Sequence, residues 1–356
     1  MQVQNAAVIG HPIGHTMSPF IHRRLFQLEG IPFHYQVIDV PDLAAAMPDL
    51  RRLDCFNITI PHKSAILPFL DDVEEKARRF GSVNTVRRVG ETLKGFTTDG
   101  PGCRKALENH GANLAGELLL LGNGGAARAI AFEAVQQKAG AKLTVVCREE
   151  SMAKAQALQA ELVEYARSIG DGLFAVRVIT YAQAEQEARP YDLLINATSV
   201  GMLPNVEESP VSGEVVSRCK AVFDAVYNPA RTKLLRFAEK SGAVAIGGME
   251  MLVYQAVAAH EIWYGSEFRQ EDLRALCADA QEELFRLFPG NAREEREDRR
   301  RAILEEPGPA ENGREETSLP GLPFRQRKGQ RFRGISSYAV LWAAARPAWG
   351  SGLPNY

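Results

Sequence analysis

The stretch Leu118–Ala131, "LLLLGNGGAARAIA", decides how the middle of the chain folds. It starts inside the apolar run "ELLLLG" (117–122), which reads as a strand buried on both faces, as strands of parallel sheets are. Gly122, Gly124 and Ala127 follow at the spacing G-x-G-x-x-A, and the pattern beyond them predicts a helix over 125–138. Glycines at those places allow a tight turn and a close backbone approach to a pyrophosphate, and the helix start offers unpaired N–H groups and a favourable dipole. The spacing alone is a weak signal, but with a strand before it and a helix after it the signal is much stronger. The next strand, "KLTVVCR" (142–148), ends on Arg148. An acidic residue there suits the ribose hydroxyls of NAD, and an arginine suits a 2′-phosphate. Arg148 therefore favours NADP, while Glu149 and Glu150 would repel a phosphate if they turned inward, which keeps NAD open.

Outward from this unit the alternation continues. A helix is predicted over 102–111 and another over 151–168, with strands at 174–180, 191–198 and 221–227. Toward the N-terminus, strands at 6–10 and 33–40 alternate with helices at 19–29 and 42–52, followed by the strand "FNITI", a helix at 71–80 and a hairpin turn at Gly90-Glu91. The last helices, 251–264 and 271–287, are amphipathic and suited to packing back on the first half. Strands alternating with helices give the α/β class, here as two α/β domains flanking a cleft. After Pro289-Gly290 the chain turns rich in charge, Pro and Gly, too poor in apolar residues for a core, and reads as a tail of low order with one apolar island at 335–349.

With 356 residues and 45% hydrophobic content the chain can bury more than one core. A formal net charge of −2 gives no electrostatic case for nucleic acid or an anionic membrane. No apolar run is long enough to span a bilayer, and the first residues lack the pattern of a signal peptide. The five cysteines are scattered with no C-x-x-C pair, which argues against a disulfide framework or a metal site and fits a reducing cytoplasm.

Two N-terminal stretches carry candidate chemistry. In "VIGHPIGHTMSPF", Ser18 reads as a helix N-cap with Pro19 as the first helical residue, so Thr16 and Ser18 would set two hydroxyls beside a positive helix end, where a carboxylate can bind. His15 reads as structural. In "NITIPHK" (57–63), Ile58 and Ile60 alternate against Asn57 and Thr59 as a strand. Pro61 stops it, and Lys63 emerges at the strand end, where open α/β sheets bind ligands. His62 reads as a neighbour rather than the acid–base group.

These pieces together resemble the shikimate dehydrogenase family, including quinate/shikimate dehydrogenases, over about residues 5–288. The resemblance rests on "GHPIGHTMSP", "NITIPHK", "SVNTV", "GFTTDG", "GNGGAARA", "NATSVGM", "VYNP" and "GGMEMLVYQ", in that order along the chain. It implies a discontinuous substrate-binding domain (1–101, completed by helices at 241–288), a Rossmann-type domain at 102–240, and a tail at 289–356. It implies NADPH-dependent reduction of 3-dehydroshikimate to shikimate, in the route to chorismate and the aromatic amino acids, by a monomer or homodimer. By position, Lys63 and Asp99 match the acid–base pair. Thr16 and Ser18 match the carboxylate-binding hydroxyls, and Asn57, Thr59, Asn84, Tyr227 and Gln255 match the substrate pocket. Gly122, Asn123, Gly124, Gly125, Ala126 and Arg148 match the cofactor turn and 2′-phosphate region. Asn196, Thr198, Ala225 and Gly248 fall near the nicotinamide half. Met251, Leu252 and Tyr254 read as packing residues. No metal is implied.

Three positions depart from the family pattern: Thr16 where serine is usual, Thr97 in "GFTTDG" where asparagine is usual, and "CREE" where the second cofactor strand usually ends in an "NRT"-like stretch. The first and third leave substrate and cofactor preference open and so allow a quinate or dual quinate/shikimate dehydrogenase using NAD; an alternative of another class is a non-catalytic NADP-binding regulator. The set Lys63, Asp99 and Gln255 speaks against the regulator, which has no need of it.

Overall fold

The computed structural model describes residues 3–14 and 16–290; His15 and the chain from 291 on, including the expected low-order tail and its apolar island, lie outside the described residues. The first half supplies β1 (Gln4–Gly10), α1 (Ser18–Glu29), β2 (Phe33–Asp39), α2 (Leu43–Leu50), β3 (Cys55–Ile58), α3 (His62–Ala65), β4 (Asp72–Val73), α4 (Glu75–Phe80), β5 (Thr85–Val89) and β6 (Thr92–Phe96). Its strands form a mixed sheet in the order β2-β1-β3-β5-β6-β4. β1 runs parallel to β2 and β3, while β5 is antiparallel to β3 and β6, joined to the latter through the expected turn at Gly90.

The chain then enters α5 (Asp99–Asn109), β7 (Glu117–Leu121), α6 (Gly125–Gln136), β8 (Lys142–Cys147), α7 (Met152–Ile169), β9 (Ala175–Thr180), α8 (Tyr181–Gln186), β10 (Tyr191–Asn196), α9 (Gly213–Val216), β11 (Cys219–Asp224), α10 (Lys233–Ser241) and β12 (Val244–Ile246). These strands make an all-parallel sheet, β12-β11-β10-β7-β8-β9. Its order reverses between β7 and β10, the topological switch point where such sheets hold ligands. Leu118 to Leu121 are fully buried, as their unbroken apolar run implies; each such burial stabilises by roughly 1.5–3 kcal/mol relative to exposure.

α11 (Gly248–Tyr264) and α12 (Gln270–Leu287) turn back toward the first sheet. α11 packs along α5, α1 and α12, and Trp263 Nε1 donates to Val86 O of β5 at 3.0 Å. The axes of α5 and α11 come so close that a Cβ at Gly102 would sit 2.9 Å from Met251 O and Gln255 N, so glycine alone fits there.

Three local expectations shift. The helix expected over 71–80 starts only at Glu75, because Asp72 and Val73 pair with Lys94 and Gly95 of β6 and that ladder outweighs helical propensity. β3 ends at Ile58, so Ile60 is 68% exposed rather than on the buried face. Val244–Ile246 adds a strand that the alternation did not reveal, placing the last element of the second sheet beyond residue 240.

Under the first sheet a chain of buried polar groups joins α1 to α11. His260 Nδ1 lies 2.8 Å from the Glu29 carboxylate, His22 Nδ1 lies 3.0 Å from His260 Nε2, and His22 Nε2 has no hydrogen-bond partner among the described residues. Burial lowers both imidazoles below their ordinary pKa, His22 strongly, with the neighbouring His260 adding to it; for His260 the pull of Glu29 opposes burial without overcoming it. The unfolded chain therefore takes up protons first as pH falls below about 6.5, so this contribution is complete above that pH and lost beneath it. Urea midpoints are expected to rise with pH from about 5.5 to 7.5, and His22→Leu should flatten part of that rise; an unchanged slope would remove His22 from the account.

Candidate active site

β3 delivers Asn57 to the site and the short α3 delivers Lys63. Asp99 is the first residue of α5, where the helix dipole favours a carboxylate. Lys63 Nζ donates to Asp99 Oδ2 at 2.6 Å, with the aspartate side chain 4% exposed and the lysine 19%. The other carboxylate oxygen accepts from Asn84 Nδ2 at 2.9 Å. Asn84 also reaches Thr98 Oγ1 and Gln255 Oε1, both at 2.9 Å, and its own Oδ1 accepts the Thr98 N–H at 2.8 Å. Behind Asn57, Tyr35 donates its hydroxyl to Asn57 Oδ1 at 3.1 Å.

The pair opens into a cavity of about 200 Å³. On the side of the first sheet it is lined by Thr16, Ser18, Asn57, Thr59, Lys63 and Asp99, and on the side of the second sheet by Ala126 and Ala225. Tyr227, Gly248, Met251, Leu252 and Gln255 complete the wall. Most residues expected to meet substrate thus share one cavity. Asn84 does not line it: it is buried behind Asp99 and Gln255 and orients both. Met251 and Leu252, read from sequence as packing residues, do line it, as does Val8 of β1. Tyr227 is largely buried, which raises its phenol pKa and keeps it neutral.

Ser18 is not the cap itself. Met17 occupies the cap position, Ser18 is the first helical residue, and Thr16 Oγ1 accepts the Ser18 N–H at 3.2 Å. The cap bond expected of Ser18 is not made by any side chain, and the two hydroxyls end up 3.1 Å apart at the mouth of α1.

At the head of the second sheet, Gly122 has φ +104°, and a Cβ there would press to 2.9 Å from the Thr198 methyl, so the turn requires glycine. α6 begins with Gly124 at its cap and no side-chain cap bond, leaving its first N–H groups to a ligand. Lys63 lies directly against this turn, its Cβ and Cδ 3.8 Å from the Cβ position of Gly125. Asn123 donates to Ser151 O at 3.2 Å and so braces the turn against the segment after β8. Arg148, at the end of β8, pairs with Glu150 at 3.1 Å, both side chains well exposed. Asn196 is fully buried, its amide bound to Asp224 and Thr198, and offers nothing to a ligand directly. Among the described residues no group of three His, Cys, Asp or Glu is placed to hold a metal ion.

A parallel sheet with a ligand-ready glycine turn at its switch point, facing a lysine–aspartate pair across a cavity, is the arrangement of a dinucleotide-dependent oxidoreductase. Comparison with known proteins narrows this. A family model described as the shikimate dehydrogenase substrate binding domain matches residues 8–86. The shikimate dehydrogenase (NADP(+)) of Moorella thermoacetica is 39% identical over 73% of this chain and 88% of its own length. The crystal structure of shikimate 5-dehydrogenase from Thermus thermophilus in complex with NADP(H) and shikimate superposes with a TM-score of 0.67 at 33% identity, over 78% of this chain and 99% of that one. That of Listeria monocytogenes, in complex with shikimate and NAD, gives 0.67 at 28% identity, over 77% and 96%. The chain belongs to the shikimate dehydrogenase family.

Because Asn84 acts on Asp99 and Gln255 from behind the wall, Asn84→Ala is expected to lower turnover by about 10- to 100-fold, the loss that misplacement by about 1 Å produces. Nucleotide affinity should stay within about twofold. Steady-state kinetics with separate nucleotide titrations checks both, and wild-type turnover would show that Asp99 needs no such support.

Proposed function

We propose that this protein is an NADP-dependent shikimate dehydrogenase that interconverts 3-dehydroshikimate and shikimate. The observation that carries the reading is the Lys63–Asp99 pair at 2.6 Å inside a cavity whose far wall, Ala126, belongs to the glycine-turn helix. The uncapped start of α6 and the positive φ of Gly122 suit a dinucleotide. Gly122 to Ala126 would hold its pyrophosphate, Arg148 its 2′-phosphate, and Ala225 and Gly248 would border the nicotinamide.

Bound there, the nicotinamide supplies the hydride that adds to the ketone carbon. Lys63 donates a proton to the carbonyl oxygen as it gains charge, giving the hydroxyl, and takes that proton back in the reverse direction. Asp99 fixes Nζ in that position, and Asn84 fixes Asp99. Thr16 and Ser18 offer hydroxyls to the substrate carboxylate beside the positive end of α1, while Asn57, Thr59, Tyr227 and Gln255 bind its ring hydroxyls. In this reading residues 1–101 with α11 and α12 form the substrate half and 102–240 the bulk of the nucleotide half, the chain crossing back between β12 and α11. The unpaired thiols of Cys55, Cys103, Cys147, Cys219 and Cys277 suit a reducing cytoplasm, and the enzyme would work as a monomer or homodimer.

A second reading, a quinate or dual-specificity enzyme accepting NAD, has one observation in its favour: Arg148 is engaged by Glu150 and so is less available to a 2′-phosphate.

Lys63→Ala should lower turnover by about 10²- to 10⁴-fold, the range for loss of a general acid, with NADP affinity within about twofold; near-wild-type turnover would sink the assignment. Rates for shikimate and quinate, each with NADP and NAD, should be highest for shikimate with NADP. Since an exposed ion pair contributes at most about 1 kcal/mol, Glu150→Gln should shift the preference further toward NADP by roughly two- to fivefold.

A further inference from the structure

Asp224 ends β11, one residue before Ala225 of the cavity wall. It is fully buried, and its carboxylate accepts three hydrogen bonds from three stretches of chain. Asn196 Nδ2, at the end of β10, donates to Oδ1 at 2.9 Å, the Val226 N–H donates to the same oxygen at 3.0 Å, and Thr232 Oγ1 donates to Oδ2 at 2.6 Å. Thr232 in turn caps α10. Asn196 carries the chain outward: its Oδ1 accepts from the Thr198 N–H at 3.0 Å and the Thr198 hydroxyl at 2.7 Å. Thr198 Oγ1 accepts the Val200 N–H at 3.2 Å. One carboxylate thus holds the loops that follow β10 and β11. The first touches Gly122 through the Thr198 methyl, and the second supplies Ala225 to the cavity.

We propose that Asp224 is a positioning residue for the nicotinamide end of the dinucleotide site, its carboxylate setting the shape of the 197–200 and 225–232 loops that receive it. The proposal rests on the dinucleotide reading above. A carboxylate suits the place because three donors converge on it, and ionised it is acceptor-only. Asn would present hydrogens to one of them, and an apolar residue would leave all three unpaired.

The charge itself is a burden on the fold. Its partners are neutral: Asn196 from β10, the Val226 backbone after β11 and Thr232 at the start of α10. From α11, Gly248 comes close to the Asp224 backbone carbonyl, its Cβ position 3.0 Å from that oxygen, and no charged group contributes to the shift of the carboxyl's pKa. Burial raises its pKa to about 6 against the three hydrogen bonds, which lower it. The folded chain therefore binds this proton more tightly than the unfolded one, and the stability contributed by the group falls as pH rises through that window. A merely structural aspartate would be missed on replacement. This one should cost binding but not stability.

The test compares NADP⁺ with adenosine 2′,5′-bisphosphate, which carries the 2′-phosphate but no nicotinamide, by calorimetry on the full chain. Asp224→Asn should weaken NADP⁺ about tenfold, leave the bisphosphate within about twofold, and leave Tm at pH 7.5 unchanged or higher. Thr232→Val should repeat the loss more weakly, and Thr232→Ser should restore affinity. Between pH 7.5 and 5.5 the ratio of NADP⁺ to bisphosphate affinity in the wild type should fall relative to the same ratio in Asp224→Asn. Both ligands share the titrating 2′-phosphate, and the bisphosphate's own 5′-phosphate titrates alike with either protein, so the comparison cancels both. Unchanged NADP⁺ affinity in Asp224→Asn, or equal weakening of both ligands with a lowered Tm, overturns the proposal. Failure of the wild type to bind either ligand overturns the dinucleotide reading, and this proposal with it.

Discussion

The site depends on a closed ring of hydrogen bonds. Lys63 Nζ donates to Asp99 Oδ2, and Asp99 Oδ1 accepts from the Asn84 side chain. The ring closes through the backbone, since the N–H of Val83, next to Asn84, donates to Lys63 O at 2.8 Å. Amine, carboxylate and amide are thereby fixed to one another from three separated segments. A lysine tethered only by its flexible stem would sample many rotamers, and ordering it would cost up to about 2 kcal/mol. The ring meets that cost during folding, before any ligand arrives.

Asp99 brings the second sheet into this arrangement, because it starts the helix that leads there. α5 is held on α11 by the close approach at Gly102 and on its other side by a buried charge. Glu133 of α6, its side chain 3% exposed, accepts from Lys76 of α4 at 2.8 Å and from Arg104 of α5 at 3.0 Å. Buried ion pairs contribute little net stability, because desolvation offsets attraction, and their better-attested role is to select one geometry. Here three helices that carry no ligand-facing polar group at that point are registered by one carboxylate. The glycine turn at the start of α6 therefore keeps its distance from Lys63.

What was legible in the sequence was local. The glycine turn, the strand before it and Lys63 beyond Pro61 all show in spacing over a few residues and fall where expected, whereas α5 starts at Asp99, three residues before the helix expected over 102–111. What was not legible depends on partners far along the chain. Asn84 meets Gln255 across 171 positions, and nothing near Asn84 says that its amide is used up in orienting two other side chains. Asp224 drew no notice inside the strand expected over 221–227, and Asn196 looked like a ligand contact; only the folded chain shows that they are bonded to each other. The misplaced start of α4 has the same origin, since β6 claims Asp72 and Val73 before helical propensity can. Ile60 was assigned inward by extending a strand past the point where its ladder ends.

The choice between His62 and Lys63 shows how finely the local backbone decides the chemistry. By residue type the histidine is the better acid–base candidate near neutral pH. Successive helical residues point about 100° apart, so in α3 only one of the two can face the cavity. His62 is turned the other way, buried, with Nε2 2.6 Å from Val40 O at the end of β2. That bond fixes the imidazole as a donor and commits it to holding α3 against the first sheet. The rotation that buries His62 is the one that aims Lys63 at Asp99, so the histidine serves the reaction by anchoring the short helix from which the lysine reaches its partner.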